Sequence, residues 1–187
     1  MEKHKAIAII LICILAASGL FYLQYTYYLS LKKRAIIGVI KVEGYIEEPS
    51  SVARYSDMIN QAMLNESIKA VVLVVDSGGG YADYVEQIYL DLLELKEKKP
   101  LVASVTRALS GGYYLSVAAD YIYVHPTSFI GSVGVIGRAP PILIPSETVL
   151  ETGPYKATGF SRLLFFHDLN RALDNFVHAV RKGRGTA

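Results

Sequence analysis

Apolar segments of strand length alternate with amphipathic helical segments, and this alternation restricts the fold more than any other feature of the sequence. Residues 35–43, 70–75 and 101–105 are rich in β-branched side chains, as buried strands are. Between them, residues 50–64 and 82–98 repeat apolar side chains every three or four positions, as helices with one buried face do. Strands joined by helices through short connections predict an α/β fold with a largely parallel sheet and helices on both faces.

The alternation continues in the second half of the chain. Residues 111–119 predict a short helix of small side chains, and residues 121–124 predict a fourth strand. Residues 129–136 form a fifth segment that glycines interrupt, and the proline-rich stretch 138–146 predicts a loop.

The amino-terminal segment predicts a membrane anchor. Residues Ala6–Leu23 carry no charge over 18 positions, which is roughly 27 Å of helix and enough to cross the hydrocarbon core. A cleavable signal peptide is the alternative, but the small residues Ala16–Ser18 lie inside the apolar run rather than after it. We expect residues 1–34 to be an uncleaved transmembrane anchor with a juxtamembrane linker, and residues 35–187 to be a separate domain.

Composition and charge exclude several classes of function. Residues 1–34 hold five of the 19 Lys and Arg and one of the 17 acids, so residues 35–187 carry 14 bases and 16 acids, a net charge of −2. That balance argues against a nucleic-acid partner. Cys13 is the only cysteine, which excludes a disulfide framework within the chain and a multi-cysteine zinc site. We expect neither a metal nor an organic cofactor.

Two glycine-rich turns follow predicted strands, where parallel sheets place their functional sites. Residues 76–80 read DSGGG and residues 110–114 read SGGYY, and neither matches a nucleotide-binding loop. Ser110 stands at the start of a predicted helix, whose unpaired N–H groups favour a developing oxyanion. Ser110 is therefore a candidate nucleophile, although a serine that caps a helix end would give the same local pattern.

Two residues are candidates for the base that would activate Ser110. His125 follows the fourth strand and is the histidine nearest to Ser110 in the sequence. Lys156 has no acid within four positions, and burial without a carboxylate partner lowers the pKa of a lysine. The residues alone leave both candidates open.

Residues 109–137 (LSGGYYLSVAADYIYVHPTSFIGSVGVIG) closely resemble the signal peptide peptidase SppA family of membrane-bound serine peptidases, as does the strand and turn VVLVVDSGGG. The segment TGPYKATG resembles the lysine motif of that family, and the likeness extends over residues 36–184. The resemblance implies a Clp-protease/crotonase-like fold of repeated β-β-α units and a catalytic Ser–Lys dyad. The roles it implies are Ser110 as nucleophile, Lys156 as general base, N–H groups of Gly111 and of Gly80 or Gly79 as oxyanion donors, and Ser132 as support for the lysine.

The same resemblance implies a membrane-anchored serine endopeptidase. Its substrates would be remnant signal peptides or other peptides with apolar segments, and its catalytic domain would be an extracytoplasmic part of a single-pass protein of the cell membrane. A homo-oligomeric ring in which neighbouring subunits share the dyad is also implied.

Two departures from the family pattern carry expectations of their own. Gly78 stands where the family usually has proline, so we expect a looser oxyanion turn. The chain stops at Ala187 where relatives continue, so we expect either a fragment or a short variant. The alternatives to a Ser–Lys peptidase are a non-catalytic membrane scaffold of the same fold and a Ser–His–acid peptidase that uses His125.

Overall fold

A computed structural model describes residues 2–31, 35–137 and 162–185. The chain divides into two compact units, residues 1–36 and residues 37–187.

The first unit is a single long helix. α1 spans Glu2–Leu31 and contains 24 residues, Ile7–Ser30, that are long and apolar enough to cross a membrane. Its hydroxyl groups donate to carbonyl oxygens three residues earlier, such as Ser18 Oγ to Leu15 O at 2.9 Å. Such bonds satisfy polar groups within the helix itself, as an apolar environment requires. The predicted amino-terminal helix is confirmed.

The second unit is built on a four-stranded sheet in the order β1-β2-β3-β4. The strands are β1 (Ile36–Ile46), β2 (Ile68–Gly80), β3 (Leu101–Leu109) and β4 (Tyr121–Gly131). β2 pairs in parallel with β3, and β3 pairs in parallel with β4. The predicted parallel sheet with intervening helices is confirmed.

Helices α2 (Pro49–Leu64), α3 (Ala82–Lys98), α4 (Gly111–Ser116) and α5 (Arg162–Arg184) complete the described fold. Every second residue of β2 is fully buried, beginning at Val71, while the residues between them are half-buried. In the described ranges one face of the sheet is therefore closed and the other is only partly covered. Burial along one strand does not identify what covers each face, so the expectation of helices on both faces stays a prediction.

The fourth strand continues into the start of the fifth segment, because β4 runs to Gly131, while residues 132–136 are not in a strand. β4 pairs Val124 with Val105 and then Phe129 with Arg107, so residues 125–128 leave the ladder as an excursion. Pro126 has no N–H to contribute to a ladder. The Ser128 hydroxyl donates to Val105 O at 2.7 Å and accepts from His125 N at 3.0 Å, which closes the excursion.

The last helix packs against the end of α4 through a glycine. A methyl group at Gly183 of α5 would stand 2.2 Å from Val117 O, so the backbones are in direct contact there. Phe176 and Ala179 of the same helix are buried. The absence of a side chain at position 183 sets how closely α5 approaches.

Gly183→Ala is expected to destabilise the second unit by about 1–3 kcal/mol, because a backbone contact cannot yield to an added methyl group as a flexible side chain would. The measurement is chemical unfolding followed by circular dichroism. Asn170→Ala is the matched control, since Asn170 is exposed on the same helix and reports only the gain in helix propensity. Equal stability of the two variants would contradict the proposed contact.

Candidate active site

Ser110 lies between the end of β3 and the start of α4 in a conformation that is rare for a residue with a side chain. Its φ is 49° and its ψ is −119°, whereas such positive φ values favour glycine. The Ser110 N–H donates to Gly131 O at 2.9 Å, and Ser110 O accepts from Tyr114 N at 3.0 Å. These bonds at both ends hold the strained residue in place, as is common at functional sites.

The Ser110 hydroxyl does not cap the helix that it precedes. A serine selected as a helix cap would turn its oxygen back to an N–H of the first turn. Ser110 is instead one of the residues that line a cavity of about 1020 Å³. The position therefore fits a reactive hydroxyl better than a capping one.

The two glycine-rich turns meet at Ser110. A methyl group at Gly79 would stand 2.8 Å from Gly111 N and 3.0 Å from Ser110 Cβ, and one at Gly111 would stand 3.3 Å from Gly80 N. Gly79 has a φ of +110°, which side chains rarely adopt. The absence of side chains at these glycines lets the end of β2 approach the start of α4 at backbone distance.

The two candidate oxyanion donors of the first turn differ in their hydrogen bonds. The Gly79 N–H donates to Ser77 Oγ at 3.1 Å, within the turn. Gly80 N lies on the side of the turn that faces Gly111. This geometry favours the Gly80 N–H over the Gly79 N–H as the second oxyanion donor beside the Gly111 N–H.

Ser132 follows β4 directly and lines the same cavity as Ser110. Its φ is 56° and that of the preceding Gly131 is 113°, so two consecutive residues have left-handed backbone. Since Gly131 O accepts the Ser110 N–H, the Ser132 turn and the Ser110 turn are joined by one hydrogen bond.

Of the two candidate bases, only His125 lies within the described residues. Lys156 lies outside the described residues, as does the predicted loop 138–146. His125 is exposed in the β4 excursion and directly follows Val124, which pairs with Val105. Ser110 directly follows Leu109, which pairs with Gly131. Four residues of strand separate the two pairs, which is about 13 Å. The structure does not bring His125 to Ser110.

The cavity has apolar walls and several charged side chains. Its apolar lining includes Val85, Val133, Ile136 and Phe176. The carboxylate of Glu47, which follows β1, and carboxylates of α3 and α5 also line it, together with Arg171. The contribution of α5 was missed in the sequence, because a helix 52 or more residues beyond Ser110 gives no local signal of where it packs.

Tyr114 joins this cavity to the core. Its hydroxyl donates to Glu86 Oε2, and its ring packs against Tyr89 and Phe176 at centroid distances of 4.6 and 4.9 Å. Burial, reinforced by the Glu86 carboxylate, raises the pKa of Tyr114 far above its usual value. Burial and the same carboxylate raise the pKa of Tyr89.

The free energy of unfolding is expected to fall as the pH rises above about 10. In that range the tyrosines of the unfolded chain ionise while Tyr114 and Tyr89 stay protonated in the folded chain, so stability is complete below the unfolded pKa and is lost above it. Each such tyrosine contributes at most about 1.4 kcal/mol per pH unit. Urea unfolding between pH 8 and 11 measures this slope, and Tyr114→Phe is expected to reduce it. Parallel curves for the variant and the intact chain would contradict the expectation.

Comparisons with known proteins place the chain among proteases. The chain is 30% identical over 169 residues to protease 4 of Haemophilus influenzae, which covers 79% of this chain and 28% of that protein. It is 29% identical over 174 residues to the probable protease SohB of Buchnera aphidicola, which covers 83% of this chain and 57% of that protein. This chain therefore spans only part of the length of these relatives.

The fold comparison agrees with the predicted architecture. A ClpP1 mutant from Listeria monocytogenes superimposes with a TM-score of 0.56 at 10% identity, covering 80% of this chain and 73% of that chain. This likeness confirms the Clp-protease-like fold. The model of peptidase family S49 matches residues 94–187, which include the SGGYY and GSVGV segments on which the resemblance to SppA rested. The chain belongs to peptidase family S49.

Proposed function

We propose that this chain is a membrane-anchored serine endopeptidase in which Ser110 is the nucleophile and Lys156 is the general base. The observation that carries the proposal is the strained Ser110 turn, whose hydroxyl does not cap the helix and whose backbone lies against the glycine-rich turn that contains Gly79 and Gly80. An activated serine next to two backbone N–H groups is the arrangement that acyl transfer requires.

In the first half of the reaction, Ser110 Oγ attacks the carbonyl carbon of a peptide bond while neutral Lys156 accepts the hydroxyl proton. The carbonyl oxygen of the tetrahedral intermediate takes the negative charge and is stabilised by the N–H groups of Gly111 and Gly80. The C–N bond then breaks, and Lys156 returns the proton to the leaving amine.

In the second half, a water molecule replaces the amine. Lys156 accepts a proton from the water, whose oxygen attacks the acyl-enzyme ester. The ester bond breaks, and the proton passes back to Ser110 Oγ. Lys156 must be neutral for both steps, and Ser132, whose turn is joined to the Ser110 turn, is the proposed support of its amine.

The proposed substrates are peptides with apolar segments, such as remnant signal peptides. The apolar walls of the cavity support this substrate class, since they would cover apolar side chains of a bound peptide. Residues 1–34 are proposed to anchor the peptidase domain, residues 35–187, in the cell membrane, where such peptides collect. The length of α1 supports the anchor.

We assign three further properties to the same proposal. The peptidase domain is extracytoplasmic, its subunits form a homo-oligomeric ring that shares the dyad, and it needs neither a cofactor nor a nucleic-acid partner. The Clp-protease-like fold supports the ring.

The test uses the full chain in detergent micelles. We expect it to cleave fluorogenic peptides with apolar segments and to react with a fluorophosphonate probe at Ser110, as identified by mass spectrometry. A folded chain that neither cleaves such peptides nor reacts at Ser110 would replace this proposal with the non-catalytic scaffold.

A further inference from the structure

Residues 44–46 of β1 run along the turn that carries the proposed oxyanion donor. The Tyr81 N–H donates to Ile46 O at 2.9 Å. A methyl group at Gly80 would stand 2.1 Å from the same oxygen, so the two backbones touch. The carboxyl end of β1 is thus the surface on which residues 77–81 lie.

The Ser77 side chain links the two segments at their other end. Its hydroxyl donates to Gly44 O at 2.6 Å and accepts from Gly79 N at 3.1 Å. Ser77 is completely buried, and so is its bond with Gly79 N, whereas its bond to Gly44 O is part-buried. A buried hydroxyl with both of its bonds made resists rearrangement, because any other position would leave polar groups unpaired.

Tyr45 covers the middle of the same turn. A methyl group at Gly78 would stand 2.7 Å from Tyr45 Cε1 and 2.8 Å from its Cζ, so the ring lies flush against the glycine. Gly78, where we expect a looser turn, is thus packed against Tyr45. The aromatic ring occupies the space that a side chain at position 78 would need.

Three consecutive glycines have a large conformational entropy and do not hold one geometry unaided. We propose that Ser77 is a positioning residue, whose hydroxyl ties Gly79 to Gly44 and so holds the Gly80 N–H where the oxyanion develops. This inference rests on the proposed function, and it adds a residue that acts through the backbone rather than on the substrate.

The positioning itself is measured without catalysis. Hydrogen–deuterium exchange is followed in peptides that cover residues 76–81 of the full chain in micelles. In Ser77→Ala the Gly79 amide is expected to exchange about five to ten times faster, which corresponds to the loss of about 1 kcal/mol of hydrogen bonding. Ser116→Ala is the matched control, because Ser116 is equally buried and donates to a backbone carbonyl, Gly112 O, at 2.8 Å.

The catalytic consequence is measured as a split between kcat and KM. Ser77→Ala is expected to lower kcat by roughly tenfold to a hundredfold, since a misplaced donor weakens binding of the transition state only. KM is expected to change less than about twofold, and affinity for a peptide boronate, which mimics the tetrahedral intermediate, is expected to fall in parallel with kcat/KM. Ser77→Cys fills the same space with a slightly larger thiol that bonds weakly, so its kcat is expected to stay low.

Specific outcomes overturn the inference. One is an unchanged exchange rate of the Gly79 amide in folded Ser77→Ala. A second is an equal loss of kcat in Ser116→Ala. A third is full recovery of kcat in Ser77→Cys, which would show that packing and not hydrogen bonding causes the effect. An intact chain that cleaves nothing would overturn the proposed function instead, and the exchange measurement would still decide whether Ser77 holds the turn.

Discussion

Replacing Ser110 with alanine is expected to abolish peptide cleavage, with a loss of at least about a thousandfold in kcat. Lys156→Ala is expected to cause a loss of the same order, because the two residues act as a unit and removing either stops the proton transfer. Cleavage by the intact chain is expected to rise with pH as Lys156 loses its proton. Fluorogenic assays of the three proteins in the same detergent measure these effects.

His125→Ala is the control for this pair, and its kcat is expected to stay within about twofold of the intact chain, since His125 lies about 13 Å along the sheet from Ser110. Cleavage that survives Lys156→Ala and disappears in His125→Ala would reject the dyad in favour of a Ser–His–acid peptidase. Circular dichroism spectra of the variants show that each is folded before its rate is compared.

Gly80→Ala is expected to lower kcat by about a hundredfold or more and to destabilise the fold by roughly 1–3 kcal/mol. The added methyl group would stand 2.1 Å from Ile46 O and 2.7 Å from Ile46 Cβ, so either β1 or the turn must move. Any such movement displaces the proposed oxyanion donor. Urea unfolding and steady-state kinetics measure the two effects separately.

Gly38→Ala is the matched control for this second prediction. Gly38 lies in β1, and a methyl group there would meet the flexible side chain of Ile68 at 3.2 Å rather than backbone. We expect its kcat to match that of the intact chain. A Gly80→Ala variant as active as Gly38→Ala would show that the contact between Gly80 and Ile46 does not position the reaction.

The elements were predictable where local pattern decides them. The apolar strand before DSGGG and the amphipathic helix after it appear as β2 and α3. They were predictable because the spacing of apolar side chains along the chain determines which face of a helix or strand is buried. The excursion at Pro126 was not predicted as part of one strand, because a proline that interrupts a ladder and one that ends it look alike in sequence.

The sequence predicted the proposed nucleophile and the glycine-rich turns, but not the residues that hold those turns in place. Ser110 and the glycines were predictable because they belong to SGGYY and DSGGG, which are local motifs. Ser77 and Tyr45 carry no such signal, since a serine after an aspartate and a tyrosine after a glycine are ordinary in any strand end. Their contribution depends on β1 lying beside β2, which is a contact across more than 30 residues.

The sequence by itself determined the apolar amino-terminal helix, the alternation of strands and helices, and membership of a family whose motifs are short and contiguous. Only the tertiary structure decided that the Ser110 hydroxyl does not cap the helix, that the Gly79 N–H donates to Ser77, and that His125 is separated from Ser110 along the sheet. The physical reason is that helices and strands follow from interactions a few residues apart, whereas the direction of a hydroxyl or an N–H group follows from which backbone the fold brings beside it.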